Sequence, residues 1–384
     1  MLHKLLALHR PLVSRDVNEG HRAATSLELF YDLVIVIAIA IVAVQFHHAV
    51  VNNHIVDGVI SFLMVFWGIW WTWSGFTFFS AGYDSDDVPY RIAVFVQLVG
   101  ALILAAGVEP AFEHNDFRLV MIGFIVMRLA LVALWLRVYR SDCGDRGMAL
   151  RSAVGIILCQ IGWCILILVL PESMVMGGFV VLALCEHFVP FYAVRKKKSK
   201  IHKDHIVERF GLLTIIVLGE ALLALVGAIQ ALVAHYEPQL LNAIVGGLVI
   251  IFTIWWLYFE EEEHPVIGKG RKEFIWGYGH GIIFAAIAAI GAGLAIVTDV
   301  LTDHGKISET IAYASVAIPV AIFLGVFWLI HDYHSTRTLK VKMIYPLGAA
   351  LVLLSVFSGF GLIVIGAILV VMLIARLLWL NPAQ

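Results

Sequence analysis

Charge is scarce in this chain. Asp, Glu, Lys and Arg make up 14% of its 384 residues, whereas hydrophobic residues make up 61%. A soluble domain of this size needs a polar surface that this composition does not supply. Cysteine is scarce too: the chain has 4, and none form a Cys-x-x-Cys pair, which argues against a disulfide framework or a zinc centre. The mean hydropathy of +0.93 indicates that the chain is dissolved in a lipid bilayer.

Motifs of soluble enzymes are missing as well. The sequence contains no GxxxxGK[ST] phosphate loop, no HExxH and no GxSxG. Its longest polar stretches, the N-terminal arm and a loop after residue 195, are too short for a nucleotide-binding domain. The first 26 residues are mixed and basic, unlike a cleaved signal. We therefore expect no enzyme activity, no cofactor, no metal site and no nucleic-acid partner.

Twelve apolar stretches approach the length of about 20 residues that a membrane-spanning helix needs. They are residues 27–46, 58–80, 91–108, 117–138, 151–170, 174–194, 207–232, 241–259, 274–298, 308–330, 343–358 and 360–380. Only the Ser358-Gly359 neighbourhood separates the last two, which leaves open a hairpin or one long span with a re-entrant piece. The predicted fold class is an all-α integral membrane protein with about twelve transmembrane helices.

The basic residues alternate in number from loop to loop. Of the 26 lysines and arginines, 23 lie on one side of the predicted spans, including the run from Arg195 to Arg209. The opposite side holds only Arg118 and Lys306, and Arg128 lies inside a span. Because cytoplasmic loops carry the excess of positive charge, both termini are predicted to be cytoplasmic.

Three features recur about half a chain apart and predict two parallel six-helix repeats. The pairs are Glu28-Leu29-Phe30 with Glu208-Arg209-Phe210, Trp70-Trp71 with Trp255-Trp256, and Gln97 with His280. The alternative is chance recurrence in a chain with 11 tryptophans. The expected organisation is an arm over 1–26, a first repeat over 27–194, a basic loop over 195–206 and a second repeat over 207–384.

Ionisable residues inside the spans are the candidate site residues, because a charge in hydrocarbon is costly and usually marks function. Glu28 and Asp32 are an i, i+4 pair at the start of span one, and Thr25-x-x-Glu28 also fits a capping box, which is a structural role. Arg128 and Glu220 are predicted at similar depth near the midplane and are therefore expected to pair.

The same argument selects residues in other spans. Glu186 and His187 precede Pro190, which frees the Glu186 carbonyl from its helical hydrogen bond. Glu208 opens span seven, and His280 lies at a depth comparable with Asp32, as in a proton relay. The predicted solute or ion pathway is Glu28, Asp32, Arg128, Glu186, His187, Glu208, Glu220 and His280.

Four strings in this chain resemble one family in order and content. They are RAATSLELFYDLV from Arg22 to Val34, ERFGL with LGE between Glu208 and Glu220, WWLYF from Trp255 to Phe259, and YGHG from Tyr278 to Gly281. The chain thus resembles the bacterial low temperature requirement A family, and departs from it at Glu260, where the family often has Asp. The resemblance implies a multi-pass inner-membrane protein linked to growth in the cold, without a settled molecular activity.

We interpret the chain as a proton-linked secondary transporter of a small solute or ion, with the bilayer as its other partner. The alternatives are an ion channel of two six-helix repeats, an intramembrane enzyme and a membrane scaffold that supports growth in the cold. The Phe30-x-Asp32 element is similar, over its short length, to the first-span signature of the lysosomal potassium channel family, which also has two six-span repeats. Substrate, direction of transport and oligomeric state are not indicated by the sequence.

Overall fold

The structure is a computed structural model that describes residues 10–14, 23–142, 144–195, 202–235, 237–260, 271–333, 335 and 337–380. Most of the predicted N-terminal arm and residues 196–201 of the predicted basic loop lie outside the described residues. Within the described part, the chain forms helices and no strands. It has twelve helical segments long and apolar enough to span a membrane, which confirms the predicted fold class.

The twelve long helices are labelled in chain order. They are α1 (Ser26–Val51), α2 (Ile55–Tyr83), α3 (Val88–Ala106), α4 (Arg118–Ser141), α5 (Arg146–Leu168), α6 (Val175–Val194), α7 (Lys203–His235), α8 (Pro238–Glu260), α9 (Arg271–Leu301), α10 (Glu309–Phe327), α11 (Leu339–Ser355) and α12 (Leu362–Leu380). A short helix, Val108–His114, extends α3, and a π-helical segment, Trp328–Asp332, extends α10. Short 3-10 turns lie at Glu172–Met174 and Val356–Ser358.

The last two spans are separate helices. Two glycines in the left-handed region, Gly359 with φ 74° and Gly361 with φ 67°, follow the 3-10 turn after α11. A side chain with a Cβ rarely adopts this backbone conformation, so the chain turns here at the positions where glycine permits it. The alternative of one long span is therefore excluded.

The helices present apolar side chains outward as well as inward. On α1, Leu33, Ile37 and Val44 are about half exposed, while Ile35, Ile39 and Val42 on the opposite face are buried. A soluble protein would cover such outward positions with polar residues, whereas hydrocarbon favours apolar ones. The surface therefore agrees with a protein that crosses the membrane many times.

The chain divides into two compact units. One unit comprises Met1–Ala38 and Met64–Arg209, and the other comprises Ile39–Leu63 and Phe210–Gln384.

Each unit contains a pair of helices that cross closely at small residues. In the first unit, a Cβ on Gly123 of α4 would collide with the backbone of Gly100 and Leu104 on α3. In the second unit, a Cβ on Gly293 of α9 would lie 2.6 Å from the carbonyl oxygen of Ser315 on α10. Small residues at such crossings let backbones approach and gain van der Waals contact, which is a main source of helix association in lipid.

Asp87 anchors the connection between α2 and α3 in the first unit. Its carboxylate caps α3 by accepting from the backbone N–H of Tyr90 at 3.0 Å, and it binds Arg137 at 2.6 Å and the backbone N–H of Arg10 at 2.8 Å. Burial raises the pKa of Asp87, but the hydrogen bonds from Arg137, Arg10 and Tyr90 outweigh burial, so the net pKa lies below the ordinary value. The loop is therefore held by an ionised carboxylate.

Candidate functional site

Two i, i+4 pairs in the first unit face each other across α1 and α7. Glu28 and Asp32 occupy the third and seventh positions of α1, and His205 and Arg209 occupy the same positions of α7. Residues four apart lie on one face of a helix, so each helix presents two functional groups to the other. All four side chains are at most 1% exposed. We call this group the α1–α7 cluster.

Arg209 links both carboxylates of the α1–α7 cluster. Its Nε and Nη2 donate to the two oxygens of Asp32, at 3.1 and 2.5 Å, and its Nη1 lies 3.1 Å from Oε1 of Glu28. The planar guanidinium suits such two-point binding of a carboxylate. The indole N–H of Trp73 on α2 donates to Asp32 at 2.7 Å, and Thr77 Oγ1, one turn further on, lies 3.5 Å from Arg209 Nη2.

Glu28 has the capping role that its spacing predicts and an ionic role as well. Its Oε2 accepts from the backbone N–H and the hydroxyl of Thr25, at 2.9 and 3.0 Å, and its own N–H donates to the Thr25 hydroxyl at 3.2 Å. Its other oxygen lies 3.0 Å from Nε2 of His205. Because a carboxylate only accepts hydrogen bonds, Nε2 of His205 carries a hydrogen in this contact. One residue therefore closes the helix end and joins the buried cluster.

The formal charges of the α1–α7 cluster do not cancel unless a proton is added. Arg209 contributes +1, Glu28 and Asp32 contribute −1 each, and a neutral His205 contributes nothing, which leaves −1. A second proton on the imidazole brings the sum to zero. An uncompensated buried charge is costly, so the charge balance of the cluster depends on this proton.

A second polar group, the Arg128 cluster, lies within α2, α4, α5 and α6 of the same unit. Nη2 of Arg128 binds Oε2 of Glu186 at 2.5 Å. Glu186 also accepts from Trp71 Nε1 at 3.0 Å and from Gln160 Nε2 at 2.8 Å. The ring of His187 stacks on Trp71 with centroids 4.2 Å apart, and its Nδ1 donates to the carbonyl of Ala183 at 2.7 Å.

The partner of Arg128 is thus Glu186, whereas similar depth had predicted Glu220. Gly75 on α2 makes room for this pair, because a Cβ there would lie 2.9 Å from Nη1 of Arg128. Depth fixes only the position along the membrane normal, and helix packing decides which side chains meet. Glu220 belongs to the second unit, where it is half-buried on α7.

The remaining predicted residues have other surroundings. Oε1 of Glu208 accepts from the backbone N–H of Ala24 at 3.2 Å, next to the capping box of α1. His280 is fully buried in the second unit; its Nδ1 donates to the carbonyl of Trp276 at 2.8 Å, and the rings of Tyr258 and Phe210 meet it edge-on. The prediction that all these residues share one pathway stays a prediction.

The second unit contains a buried ion pair that sequence reasoning did not select. Arg376 of α12 binds both oxygens of Asp332, at 2.7 and 3.1 Å, and stacks over the ring of Tyr345, with its guanidinium carbon 4.4 Å from the centroid. Arg337 binds Asp332 as well, at 2.5 Å. Asp332 ends the π-helical segment after α10, and such segments occur often at functional positions.

His205 and Arg209 were missed for a definable reason. The basic run before them predicted a loop over 195–206, and Arg209 was counted among the cytoplasmic charges that set the orientation. One signal was present in the sequence: His205 and Arg209 are four residues apart, as are Glu28 and Asp32. The residues that meet, Glu28 with His205 and Asp32 with Arg209, are separated by the same 177 residues.

The helices and these buried ion pairs define a multi-pass α-helical membrane protein with ionisable groups inside its bundle. Residues 23–378, nearly the whole chain, match the family model described as bacterial low temperature requirement A protein (LtrA), and the chain belongs to that family. It is 22% identical over 295 residues to an uncharacterised protein of Rhizobium meliloti (strain 1021), covering 71% of this chain and 70% of that one. No solved structure matches the chain.

Proposed function

We propose that this protein is a proton-linked secondary transporter of a small solute or ion, with the α1–α7 cluster as its proton-binding site. The observation that supports the proposal is the charge imbalance of the cluster, which one proton on His205 removes. The imidazole of His205 lies against the Glu28 carboxylate, so a proton taken up there completes the charge balance and its release restores the imbalance in each cycle. Intramembrane ionisable groups are the usual means of proton coupling.

The proposal extends to the Arg128 cluster, because both clusters lie in one unit and share a helix. The shared helix is α2, whose Trp73 donates to Asp32 and whose Trp71 donates to Glu186. A movement of α2 therefore reaches the carboxylates of both clusters.

Two internal correspondences support the predicted pair of six-helix repeats. The third and fourth helices of each half cross at small residues, Gly100 with Gly123 and Gly293 with Ser315. A cation and a carboxylate also join the fourth helix region to the sixth helix in each half, with the charges exchanged: Arg128 to Glu186, and Asp332 to Arg376. Repeats of this kind place a transport pathway at the interface of the halves.

We also propose the inner membrane as the location, with both termini in the cytoplasm. Arg209 and Arg376 are fully buried ion-pair partners and so do not count as loop charges. Without these two, the basic residues still lie overwhelmingly on one side of the spans. Cysteine labelling of single-Cys variants in intact cells tests this orientation.

The test of transport is proton flux in proteoliposomes that contain the full-length protein. A pH dye inside the vesicles reports proton entry when a pH gradient or a potassium diffusion potential is imposed, with and without panels of cations, amino acids and organic acids outside. Wild type is expected to show solute-dependent, saturable proton movement. An unsaturable current without any solute would favour the channel alternative instead.

A matched pair of histidine variants ties the flux to the site. His205→Gln keeps a donor near the Nε2 position but cannot take a second proton, so proton movement should be lost. His54→Gln changes an exposed histidine between α1 and α2 and should leave the flux intact. Equal flux in both variants would contradict the assignment of His205, and no flux with any tested solute would contradict the transport proposal.

A further inference from the structure

Hydrogen-bond donors outnumber acceptors in the Arg128 cluster. Glu186 already accepts from Arg128 Nη2, Trp71 and Gln160. Three more buried N–H groups have no hydrogen-bond partner in the part of the chain that the structure describes: Arg128 Nε, Trp67 Nε1 and Trp163 Nε1. Leaving buried donors unpaired is costly, so an arrangement of this kind points to an additional acceptor.

The chemistry of these groups indicates which acceptor would fit. The only unpaired acceptor among the described side chains of the cluster is Gln160 Oε1, so the site favours a group that accepts several hydrogen bonds and donates few. A carboxylate is such a group, and an arginine with indole donors suits it.

Aromatic rings pack around Trp67, which lies against Trp71 and His187 of the Arg128 cluster. Around Trp67, ring centroids lie 5.7 Å away for Trp163, 5.7 Å for Phe124, 5.2 Å for Phe179 and 6.2 Å for the nearly parallel Trp71. Aromatic faces and edges favour an apolar, planar ligand body. The remainder of the ligand is therefore expected to be apolar and flat.

We propose that the Arg128 cluster binds a small organic monocarboxylate with a flat apolar body, and that this carboxylate takes the place of Glu186 on Arg128 while Glu186 takes up one proton. This inference rests on the proposed function and names its substrate class. In the exchange, the ion pair between Arg128 and Glu186 breaks, an O–H bond forms on Glu186 with a proton from the solution, and a new ion pair forms between Arg128 and the ligand. The net charge of the site stays at zero.

The charge count explains why the proton is required. Without protonation, one guanidinium would face two carboxylates in a buried site, which the surroundings disfavour. The titratable groups facing Glu186 are Arg128 on α4, Cys159 on α5 and His187 on its own helix. Arg128 keeps its positive charge throughout. The proton that compensates the incoming carboxylate is therefore assigned to Glu186, the group that the ligand displaces.

The first experiment measures binding of radiolabelled benzoate to the detergent-purified full-length protein by equilibrium dialysis, with protein-free micelles as the blank. Saturable binding that unlabelled benzoate displaces and neutral benzamide does not is expected. Trp67→Phe keeps an aromatic ring but removes the indole N–H, and should raise Kd about tenfold or more, as expected for loss of a hydrogen bond to a charged group. Trp135→Phe, in the same unit but packed against Phe79 and Tyr83, is the control and should leave Kd unchanged.

The second experiment counts protons. Addition of benzoate to weakly buffered wild-type protein should remove about one proton per carboxylate bound, as read by a pH dye, whereas Glu186→Gln should bind benzoate without proton uptake. The proposal is refuted by the absence of saturable benzoate binding, by equal Kd in Trp67→Phe and wild type, or by unchanged proton uptake in Glu186→Gln. Solute-dependent proton flux without benzoate binding would refute this inference alone, and benzoate binding with no flux would refute the transport proposal alone.

Discussion

Removing Arg209 should destabilise this protein more than any single change at the carboxylates it binds. Arg209→Met leaves Glu28 and Asp32 buried, at 1% and 0% exposure, without their guanidinium. Breaking a buried ion pair by removing one partner costs about 3–5 kcal/mol. Because two carboxylates depend on this one cation, we expect the upper end, about 5 kcal/mol.

Asp32→Asn should cost less, because it also removes the excess negative charge. The change weakens the charge-assisted bonds from Arg209 and Trp73, worth about 1.5–3 kcal/mol each. Without the Asp32 charge, Arg209 and Glu28 balance each other while His205 is neutral, so the variant needs no added proton, which offsets part of that loss. We therefore expect a net cost of about 2–3 kcal/mol.

The double variant separates this reasoning from simple loss of contacts. With Asp32→Asn and Arg209→Met together, Glu28 and a protonated His205 balance each other, so the double variant should be no less stable than Arg209→Met alone. The expected coupling energy is about 2 kcal/mol or more, well above the few tenths seen for independent sites.

Equilibrium unfolding by SDS in mixed detergent micelles, followed by circular dichroism, supplies the free energies. Asp116→Asn, which alters an exposed pair with Arg118, is the control and should leave the unfolding free energy unchanged. Additive effects of Asp32→Asn and Arg209→Met, within about 0.5 kcal/mol, would refute the charge-balance argument.

Three further predictions concern other parts of the fold. Asp87 should make the protein acid-sensitive: its lowered pKa contributes stability that is present above about pH 4 and lost as pH falls below it, so thermal inactivation midpoints of wild type and Asp87→Asn should converge towards pH 3. Gly123→Val should abolish the close crossing of α3 and α4 and reduce the yield of folded protein in size-exclusion chromatography, whereas Gly177→Ala, with open space around it, should not. Arg376→Lys should lose the two-point bond to Asp332 and lower the free energy of unfolding by about 1.5–3 kcal/mol in the same assay. An unfolding free energy equal to that of wild type would show that a point charge at this position suffices.

The twelve spans were predictable because hydrocarbon demands about 20 apolar residues per helix, and the chain meets that demand in twelve places. Helix ends were less predictable. The helix α7 begins at Lys203 and α11 at Leu339, each four residues before the apolar stretch that predicted it. Hydropathy locates the part of a helix that lies in hydrocarbon, but helical hydrogen bonding continues into polar residues. His205 lies in this polar extension of α7, which is why hydropathy assigned it to a loop.

Partners inside the bundle were the hardest to predict. The sequence selected Glu28, Asp32, Arg128 and Glu186 as unusual charges, and all four are buried, but it could not say which would meet. The sequence pattern of a basic residue near the end of a span is the same whether the side chain is solvated or buried. For this reason Arg209 was counted with the loop. Only packing distinguishes the two cases.

The arrangement of α2 gives the two clusters a common physical basis. Trp71 and Gly75, four residues apart, face the Arg128 cluster, whereas Trp73 and Thr77, also four apart, face the α1–α7 cluster. Residues with this spacing lie on one side of a helix, so α2 forms a wall of both clusters at the same level. A small rotation of α2 that strengthened the bond from Trp73 to Asp32 would shift Trp71 relative to Glu186. In the proposed transport cycle, protonation of the α1–α7 cluster would therefore have a short mechanical route to the ion pair of the Arg128 cluster, which is what coupling of a proton to a second ligand requires.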